Sequence, residues 1–176
     1  KGIRIVAGTD ISEAALAKFK VRAGPDAATY KDYRKMLQSE KLDAVFVTSP
    51  DFCHEEQAVA ALEKRIPVYL EKPMAITIKG CDRLLETAKK NRTKLFLGHN
   101  MRYMRFVHKM KELIDSGAIG EVKAIWCRHF VSYGGDAYFR DWHSERKYTT
   151  SLLLQKGAHD IDVIHWLAGG YTRRVV

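Results

Sequence analysis

Short apolar runs alternate with amphipathic stretches through the first hundred residues of the chain. The apolar runs predict strands at residues 3–9, 43–48, 68–70 and 94–98. Apolar side chains at helical spacing predict helices at residues 11–22, 30–39, 54–64 and 77–90. Ser12 is the expected N-cap of the first helix. Strands separated by helices of this length are typical of an α/β fold whose parallel sheet is covered by helices on both faces.

The pattern changes near residue 100. Two further helices are predicted, each followed by glycine, at residues 103–116 and 152–168. Between them, the partly alternating run 121–133 predicts a strand of a second, largely antiparallel sheet. Residues 134–150 are polar and rich in aromatic side chains, which favours a loop.

This change of pattern predicts two partial domains. Residues 1–100 are expected to form most of a parallel α/β domain, and residues 101–176 part of a second α/β domain with an open sheet. The second domain needs more strands than the chain supplies.

The composition indicates a folded protein. Of the 176 residues, 46% are hydrophobic, which is enough for a core and argues against disorder. No run approaches the roughly 20 apolar residues of a membrane span. The first residues are too charged for a signal peptide, so a cytoplasmic protein with no membrane partner is expected. Three cysteines without C-x-x-C spacing predict reduced thiols.

The charge balance favours a small anionic ligand over a nucleic acid. The net charge is +9, from 30 basic and 21 acidic residues, but the basic residues are scattered along the whole chain. A diffuse excess indicates solvated helix faces, with a few cations available for an anionic cofactor or substrate. A nucleic-acid partner is therefore not expected.

Polar residues that could take part in catalysis or ligand binding follow the predicted strands. They are Ser49, Pro50 and His54; Glu71, Lys72 and Pro73; and Asn100, Arg102 and Tyr103. Ligands of open α/β sheets bind at the carboxyl ends of the strands, so these residues are expected around one crevice. Lys72 could polarise a reacting oxygen or relay a proton if burial lowers its pKa. The structural alternatives are a Glu71–Lys72 ion pair and capping or packing roles for His54 and Asn100.

Asp10 follows the first predicted strand. An acidic residue at this place in a dinucleotide-binding sheet hydrogen-bonds the adenosine ribose and disfavours a 2′-phosphate, so NAD is expected over NADP. The alternative is a plain helix N-cap. No G-x-G-x-x-G run occurs in the chain. We therefore expect that the first strand, the glycine turn and the first helix of the sheet lie before residue 1.

The last predicted helix carries a second polar cluster. Helical spacing places Gln155, His159, Asp162 and Trp166 on one face. With a reference pKa near 6.5, His159 is a suitable general base for a hydroxyl proton. A packed histidine is the alternative, and Lys156 could form a surface ion pair with Asp160.

The hypothesis that the same helix binds a metal is disfavoured. It would use four ligands, His159, Asp160, Asp162 and His165. The histidine–aspartate dyad of metal phosphohydrolases belongs to an all-helical fold, whereas this chain alternates strands and helices. No metal is therefore expected.

In their order, these motifs resemble the Gfo/Idh/MocA family of oxidoreductases (glucose–fructose oxidoreductase, inositol dehydrogenase, rhizopine oxidoreductase). The residues that carry the resemblance are Leu42-Asp43-Ala44-Val45, Ser49-Pro50 with His54, Glu71-Lys72-Pro73-Met74-Ala75, Gly98-His99-Asn100 with Arg102-Tyr103, Gly117-Ala118-Ile119-Gly120-Glu121-Val122, His159-Asp160-Ile161-Asp162 and Trp166-Leu167-Ala168-Gly169. Each motif is weak, but the ordered set is specific.

The resemblance implies a fold and a set of roles. The fold would be a partial Rossmann domain, without its first βα unit, followed by part of a domain through which many members form dimers or tetramers. Lys72 and His159 would be catalytic. The residues expected to line an NAD site are Asp10, Ser49, Pro50, His54, Glu71, Lys72, Pro73 and Asn100. Those expected near a sugar or polyol substrate are Arg102, Tyr103, Trp142, Gln155, Lys156 and Asp162.

The chain departs from the family at one catalytic position. Many sugar and inositol dehydrogenases of the family have an aspartate four residues before the histidine, where this chain has Gln155. A glutamine cannot accept a proton, so His159 either works with Lys72 alone, or Lys156 contributes its charge, for instance to an acidic substrate.

The expected activity is hydride transfer between NAD and a ring hydroxyl of a sugar, inositol or sugar acid. Two alternatives stay open. One is a relative that uses NAD for glycoside cleavage or epimerisation, and the other is a non-catalytic binding or regulatory relative.

Overall fold

In a computed structural model, which describes residues 2–130 and 134–176, short parallel strands alternate with helices through the first hundred residues. The strands are β1 (Ala7–Thr9), β2 (Ala28–Tyr30), β3 (Val45–Val47), β4 (Val68–Leu70) and β5 (Leu95–Leu97). The helices are α1 (Glu13–Ala23), α2 (Tyr33–Ser39), α3 (His54–Glu63), α4 (Ile78–Asn91), α5 (Arg105–Asp115), α6 (Arg146–Thr149), α7 (Leu152–Gln155) and α8 (Gly157–Ala168). Short 3-10 turns occupy Asp51–Cys53, Asn100–Tyr103, Gly135–Phe139 and Asp141–Ser144.

The strands form two parallel sheets, which confirms the predicted α/β architecture. β1 pairs with β2, and β3, β4 and β5 pair in sequence order. Val47, Leu70 and Leu97 are aligned at the carboxyl ends of the three-stranded sheet. Ser12 caps α1 as predicted, because its side-chain oxygen accepts a hydrogen bond from Ala15 N.

The core lies on one face of the three-stranded sheet, under α3 and α4. Leu62, Leu70 and Leu84 are completely buried there. On the other face, three aromatic side chains in register, Phe46, Tyr69 and Phe96, stack with centroid separations of 5.0 and 5.3 Å. The buried face holds the strands rigidly and fixes the positions of the loops at their carboxyl ends.

The structure differs from the predictions at two places. The strand β2 was not predicted, and its last residue, Tyr30, was expected to begin a helix over residues 30–39; instead Ala28–Tyr30 pairs with β1 and the helix begins only at Tyr33. The predicted strand at 121–133 is not formed over residues 121–130, and residues 131–133 lie outside the described residues. A strand needs a hydrogen-bonding partner, and no described strand pairs with this segment. The predicted antiparallel sheet is therefore absent from the described ranges.

The helix predicted over residues 152–168 is broken into α7 and α8 at Lys156. In a continuous helix, Gln155 O would accept a hydrogen bond from His159 N. Instead, His159 N donates to Lys156 O at 3.4 Å, which leaves the Gln155 carbonyl available to another partner. The predicted loop at 134–150 also contains two 3-10 turns and α6.

Within the described part of the chain, no helix combines the length and apolar character that crossing a membrane requires.

Two adjacent leucines of α4 test the packing of the core. Leu84 is fully buried, whereas Leu85 is 53% exposed. Leu84→Ala should lower the free energy of unfolding by about 2–5 kcal/mol because it leaves a cavity against β4 and α3. Leu85→Ala should change it by less than about 1 kcal/mol. Urea unfolding of both variants checks this, and equal losses would contradict the assigned core.

Candidate active site

The loops that follow β3, β4 and β5 meet at one edge of the sheet. Glu71 N donates to Val47 O at 2.9 Å, and Gly98 N donates to Leu70 O at 2.7 Å, so the parallel pairing continues just past the strand ends. This edge is where ligands of parallel α/β sheets bind. The three loops therefore lie together at the edge of the sheet where a crevice is predicted.

His54 ties two of these loops together. Its side chain is 1% exposed, with Nε2 at 2.8 Å from Ser49 O and Nδ1 at 2.7 Å from Pro73 O. Ser49 is held further by its hydroxyl, which donates to Gln57 Oε1 at 2.8 Å. The buried ring of His54 thus fixes the Ser49-Pro50 turn against the Glu71-Lys72-Pro73 turn.

Lys72 connects the sheet edge to the helices of the second half of the chain. Its Nζ donates to the carbonyl of Gln155 at 2.8 Å, the group released by the break between α7 and α8. Glu71 does not form an ion pair with this ammonium and instead accepts a hydrogen bond from Lys72 N at 3.0 Å. Burial lowers the pKa of Lys72, while the charges of Asp51 and Glu71 act in the opposite direction.

His159 lies beside Lys72 and is held in its neutral form. Its side chain is 7% exposed, and its Nδ1 is buried without a hydrogen-bond partner among the described residues. Burial, and then the nearby charges of Lys72, His99 and Lys156, lower the pKa of His159 to about 4. At neutral pH the ring therefore has a free lone pair with which to accept a proton.

His99 and an ion pair complete this side of the crevice. Arg102 donates two hydrogen bonds to Asp162, at 2.7 Å from Nε and 2.6 Å from a terminal nitrogen. His99 Nδ1 is 3.7 Å from Asp162 Oδ2, and its ring is edge-on to that of His159, with centroids 6.1 Å apart. Burial lowers the pKa of His99. Arg102 and Asp162, both predicted near the substrate, are thus bound to each other.

Asp51 is a buried carboxyl group of the same crevice. It is 5% exposed, and its Oδ2 has no hydrogen-bond partner among the described residues. Burial raises its pKa, against the lowering effect of the charges of His54, Lys72 and His143. Sequence reasoning selected neither Asp51 nor His99. The available signal was their place in the runs that follow β3 and β5.

Gln155 and Lys156 lie at the helix break. Gln155 is 6% exposed, and its side-chain Oε1 is buried without a partner among the described residues. Lys156 is half-buried, with its ammonium 5.9 Å from the centroid of the Tyr138 ring. It forms no ion pair with Asp160, which lies 2.9 Å from His129 Nδ1 instead.

The other predicted residues are placed less centrally. Asn100 is exposed and begins a 3-10 turn, so it does not cap α5, and Tyr103 is 66% exposed. Trp142 stacks on His143 with centroids 3.7 Å apart and meets Phe52 edge-on. Asp10 directly follows β1 of the other sheet, and its carboxylate accepts a hydrogen bond from Ser12 N at 2.8 Å.

Within the described ranges, no group of three or more histidine, cysteine, aspartate or glutamate side chains is arranged to hold a metal ion.

Comparison with known proteins identifies relatives for both halves of the chain. Residues 1–99 match the family model described as "Oxidoreductase family, NAD-binding Rossmann fold", and residues 107–176 match the model "GFO/IDH/MocA C-terminal domain". Inositol 2-dehydrogenase of Salmonella typhimurium is 31% identical over 171 residues, which cover 94% of this chain and 47% of that enzyme. Inositol 2-dehydrogenase of Serratia proteamaculans is 33% identical over 168 residues, covering 95% of this chain and 47% of that enzyme.

A solved structure supports the same relationship. The scyllo-inositol dehydrogenase of Lactobacillus casei, solved with NAD(H) and scyllo-inositol bound, superposes with a TM-score of 0.79 at 28% identity. The match covers 93% of this chain and 48% of that one. The chain thus spans about half the length of the relatives that it matches.

The lowered pKa of His159 predicts a pH dependence of stability. The pKa is about 4 in the folded chain and about 6.5 when unfolded, so this stabilisation is complete above pH 6.5 and is lost as the pH falls toward 4. When the pH is lowered from 7 to 5, the free energy of unfolding should therefore fall by about 1–2 kcal/mol less in His159→Gln than in the wild type. Urea unfolding at both pH values measures this. His108→Gln, at an exposed position, is the control, and equal losses in all three proteins would refute the assignment.

Proposed function

The chain belongs to the Gfo/Idh/MocA family of oxidoreductases, and on that basis we propose that it is part of an NAD-dependent dehydrogenase. The proposed substrate class is a sugar, inositol or sugar acid, oxidised at a ring hydroxyl. The observation that carries the proposal is the pairing of two side chains. Half-buried Lys72, a hydrogen-bond donor, follows the carboxyl end of β4, and buried, neutral His159, a proton acceptor, lies on α8 close enough for the charge of Lys72 to lower its pKa.

The crevice offers suitable partners for one end of the cofactor. Ser49, Pro50, Glu71 and Asn100 follow the carboxyl ends of three parallel strands. We assign these loops to the nicotinamide half of NAD and Asp10 to the adenosine ribose. No G-x-G-x-x-G run occurs in the chain, so we do not propose residues of this chain that bind the pyrophosphate of NAD. When bound, NAD supplies the hydride acceptor.

The two catalytic residues divide the work on the substrate hydroxyl. Lys72 donates a hydrogen bond to the hydroxyl oxygen and stabilises negative charge that develops there. His159 accepts the hydroxyl proton as the carbon–oxygen double bond forms. Because the lowered pKa of His159 keeps its ring neutral at neutral pH, one ring nitrogen carries a lone pair that can accept the proton.

Gln155 changes how the base is supported. In place of a carboxylate, it presents an amide that can donate and accept hydrogen bonds but cannot take a proton. Its backbone carbonyl positions Lys72. The carboxylate of Asp162, four residues before Trp166 on the same helix, is held by Arg102 and lies 3.7 Å from His99 Nδ1.

Replacing Lys72 tests the assignment in the complete protein that contains this chain. Lys72→Met should lower turnover by about 100-fold or more, since it removes the donor to the reacting oxygen. Affinity for NADH, measured by energy transfer from tryptophan, should change much less. The matched control is Lys89→Met, at an exposed position of α4, which should behave as the wild type.

Three outcomes would contradict the proposal. Turnover that survives in the Lys72→Met protein would remove the catalytic role of Lys72. NADH binding without oxidation of any sugar or polyol would indicate a non-catalytic relative. Turnover without net formation of NADH would indicate transient oxidation instead of dehydrogenation.

A further inference from the structure

His54 makes two hydrogen bonds that a neutral imidazole cannot make at the same time. Its side chain is 1% exposed, with Nδ1 at 2.7 Å from Pro73 O and Nε2 at 2.8 Å from Ser49 O. Both partners are backbone carbonyl oxygens, which accept hydrogen bonds and do not donate them. Both ring nitrogens must therefore carry a hydrogen, and a histidine with two N–H groups is the imidazolium cation.

A neutral ring would be unfavourable at this place. One of its nitrogens would direct a lone pair at the lone pairs of a carbonyl oxygen at hydrogen-bond distance. Because the ring is buried, it cannot turn that nitrogen toward water, and the oxygen that it faces would lose its donor. The second proton replaces this repulsion with a charge-assisted hydrogen bond, which is stronger than one between neutral groups.

A buried cation needs a negative charge nearby, and Asp51 supplies one. Asp51 lies three residues before His54 on the same turn, where His54 N donates to Asp51 O. Its side chain is 5% exposed, and its Oδ2 has no hydrogen-bond partner among the described residues. Burial raises the pKa of Asp51, and the charge of His54 opposes this increase more than the charges of Lys72 and His143. Glu71 and Lys72, on the second loop, carry one charge of each sign.

The charge of His54 affects the site because the ring holds the loops that follow β3 and β4. Ser49 O belongs to the loop after β3, and Pro73 O lies one residue after Lys72 in the loop after β4. A ring with two donors binds both loops at once, whereas a ring with one donor would release one of them. The position of Lys72 relative to the Ser49-Pro50 turn therefore depends on the second proton.

We propose that His54 is a buried imidazolium, balanced by the carboxylate of Asp51, and that this cation positions the two loops of the candidate NAD site. The charge state follows from the hydrogen bonds of the ring, whereas its effect on NAD rests on the proposed dehydrogenase function. His54 is a positioning residue, because it acts through Ser49 O and Pro73 O and not on the reacting atoms.

The test is the ¹⁵N NMR spectrum of the histidine rings in the complete protein that contains this chain. Long-range ¹H–¹⁵N correlations distinguish ring nitrogens that carry a hydrogen from those that do not. At about pH 8, where a histidine exposed to water is neutral, His54 should show two protonated nitrogens. Its signals are assigned through its own backbone resonances. One protonated and one unprotonated nitrogen at His54 would overturn the proposal.

Asp51→Asn tests the balancing charge. The substitution keeps the size of the buried side chain but removes its negative charge, so His54 should lose its second proton at the same pH. Affinity for NADH, measured by energy transfer from tryptophan, should then fall by about 10-fold or more, since one charged hydrogen bond between the loops is lost. Asp82→Asn, at an exposed position of α4, is the matched control and should behave as the wild type.

The outcomes separate this inference from the proposed function. Two protonated nitrogens at His54 in Asp51→Asn would refute the balancing role of Asp51. A neutral His54 with unchanged NADH affinity would refute the positioning role. Both results leave the dehydrogenase proposal standing. If the wild type bound no NADH, the dehydrogenase proposal and the positioning role would fall together, and the spectrum of His54 would still decide its charge state.

Discussion

The hydrogen bond from Lys72 to the Gln155 carbonyl is the constraint on which the candidate site depends. It joins the carboxyl edge of a buried sheet to helices more than eighty positions later in the chain, at 2.8 Å. The bond exists because the helix is interrupted at Lys156, which frees the carbonyl that His159 N would otherwise use. Lys72 and His159 are therefore positioned by the same local break.

Electrostatics give this arrangement its chemical character. Burial and surrounding positive charge keep His159 neutral, and burial also lowers the pKa of Lys72. Placing positively charged groups close together lowers the stability of the fold, because each loses part of its hydration and is repelled by the others. Sites that perform proton transfer are where such costs occur most often.

The sequence predicted the repetitive part of the fold better than its irregular parts. Alternating apolar and amphipathic runs are a direct consequence of burial, so the parallel sheets and the Ser12 cap followed from the pattern. β2 was missed because three residues are too few to show an alternation of apolar and polar side chains. These residues form a strand because they pair with β1, which the local sequence does not reveal. The break at Lys156 has no strong local signal, and the burial of His99 and Asp51 depends on residues distant in the chain.

The most direct test of the account is the pKa of His159, measured by NMR titration of its imidazole in the wild type and in Lys72→Met. We expect a pKa of about 4 for His159 in the wild type and a higher pKa in the variant, because the charge of Lys72 lowers the pKa of His159 more than any other cause except burial. A pKa near 6.5 in both proteins would contradict it, because Lys72 and His159 would then not share a buried site.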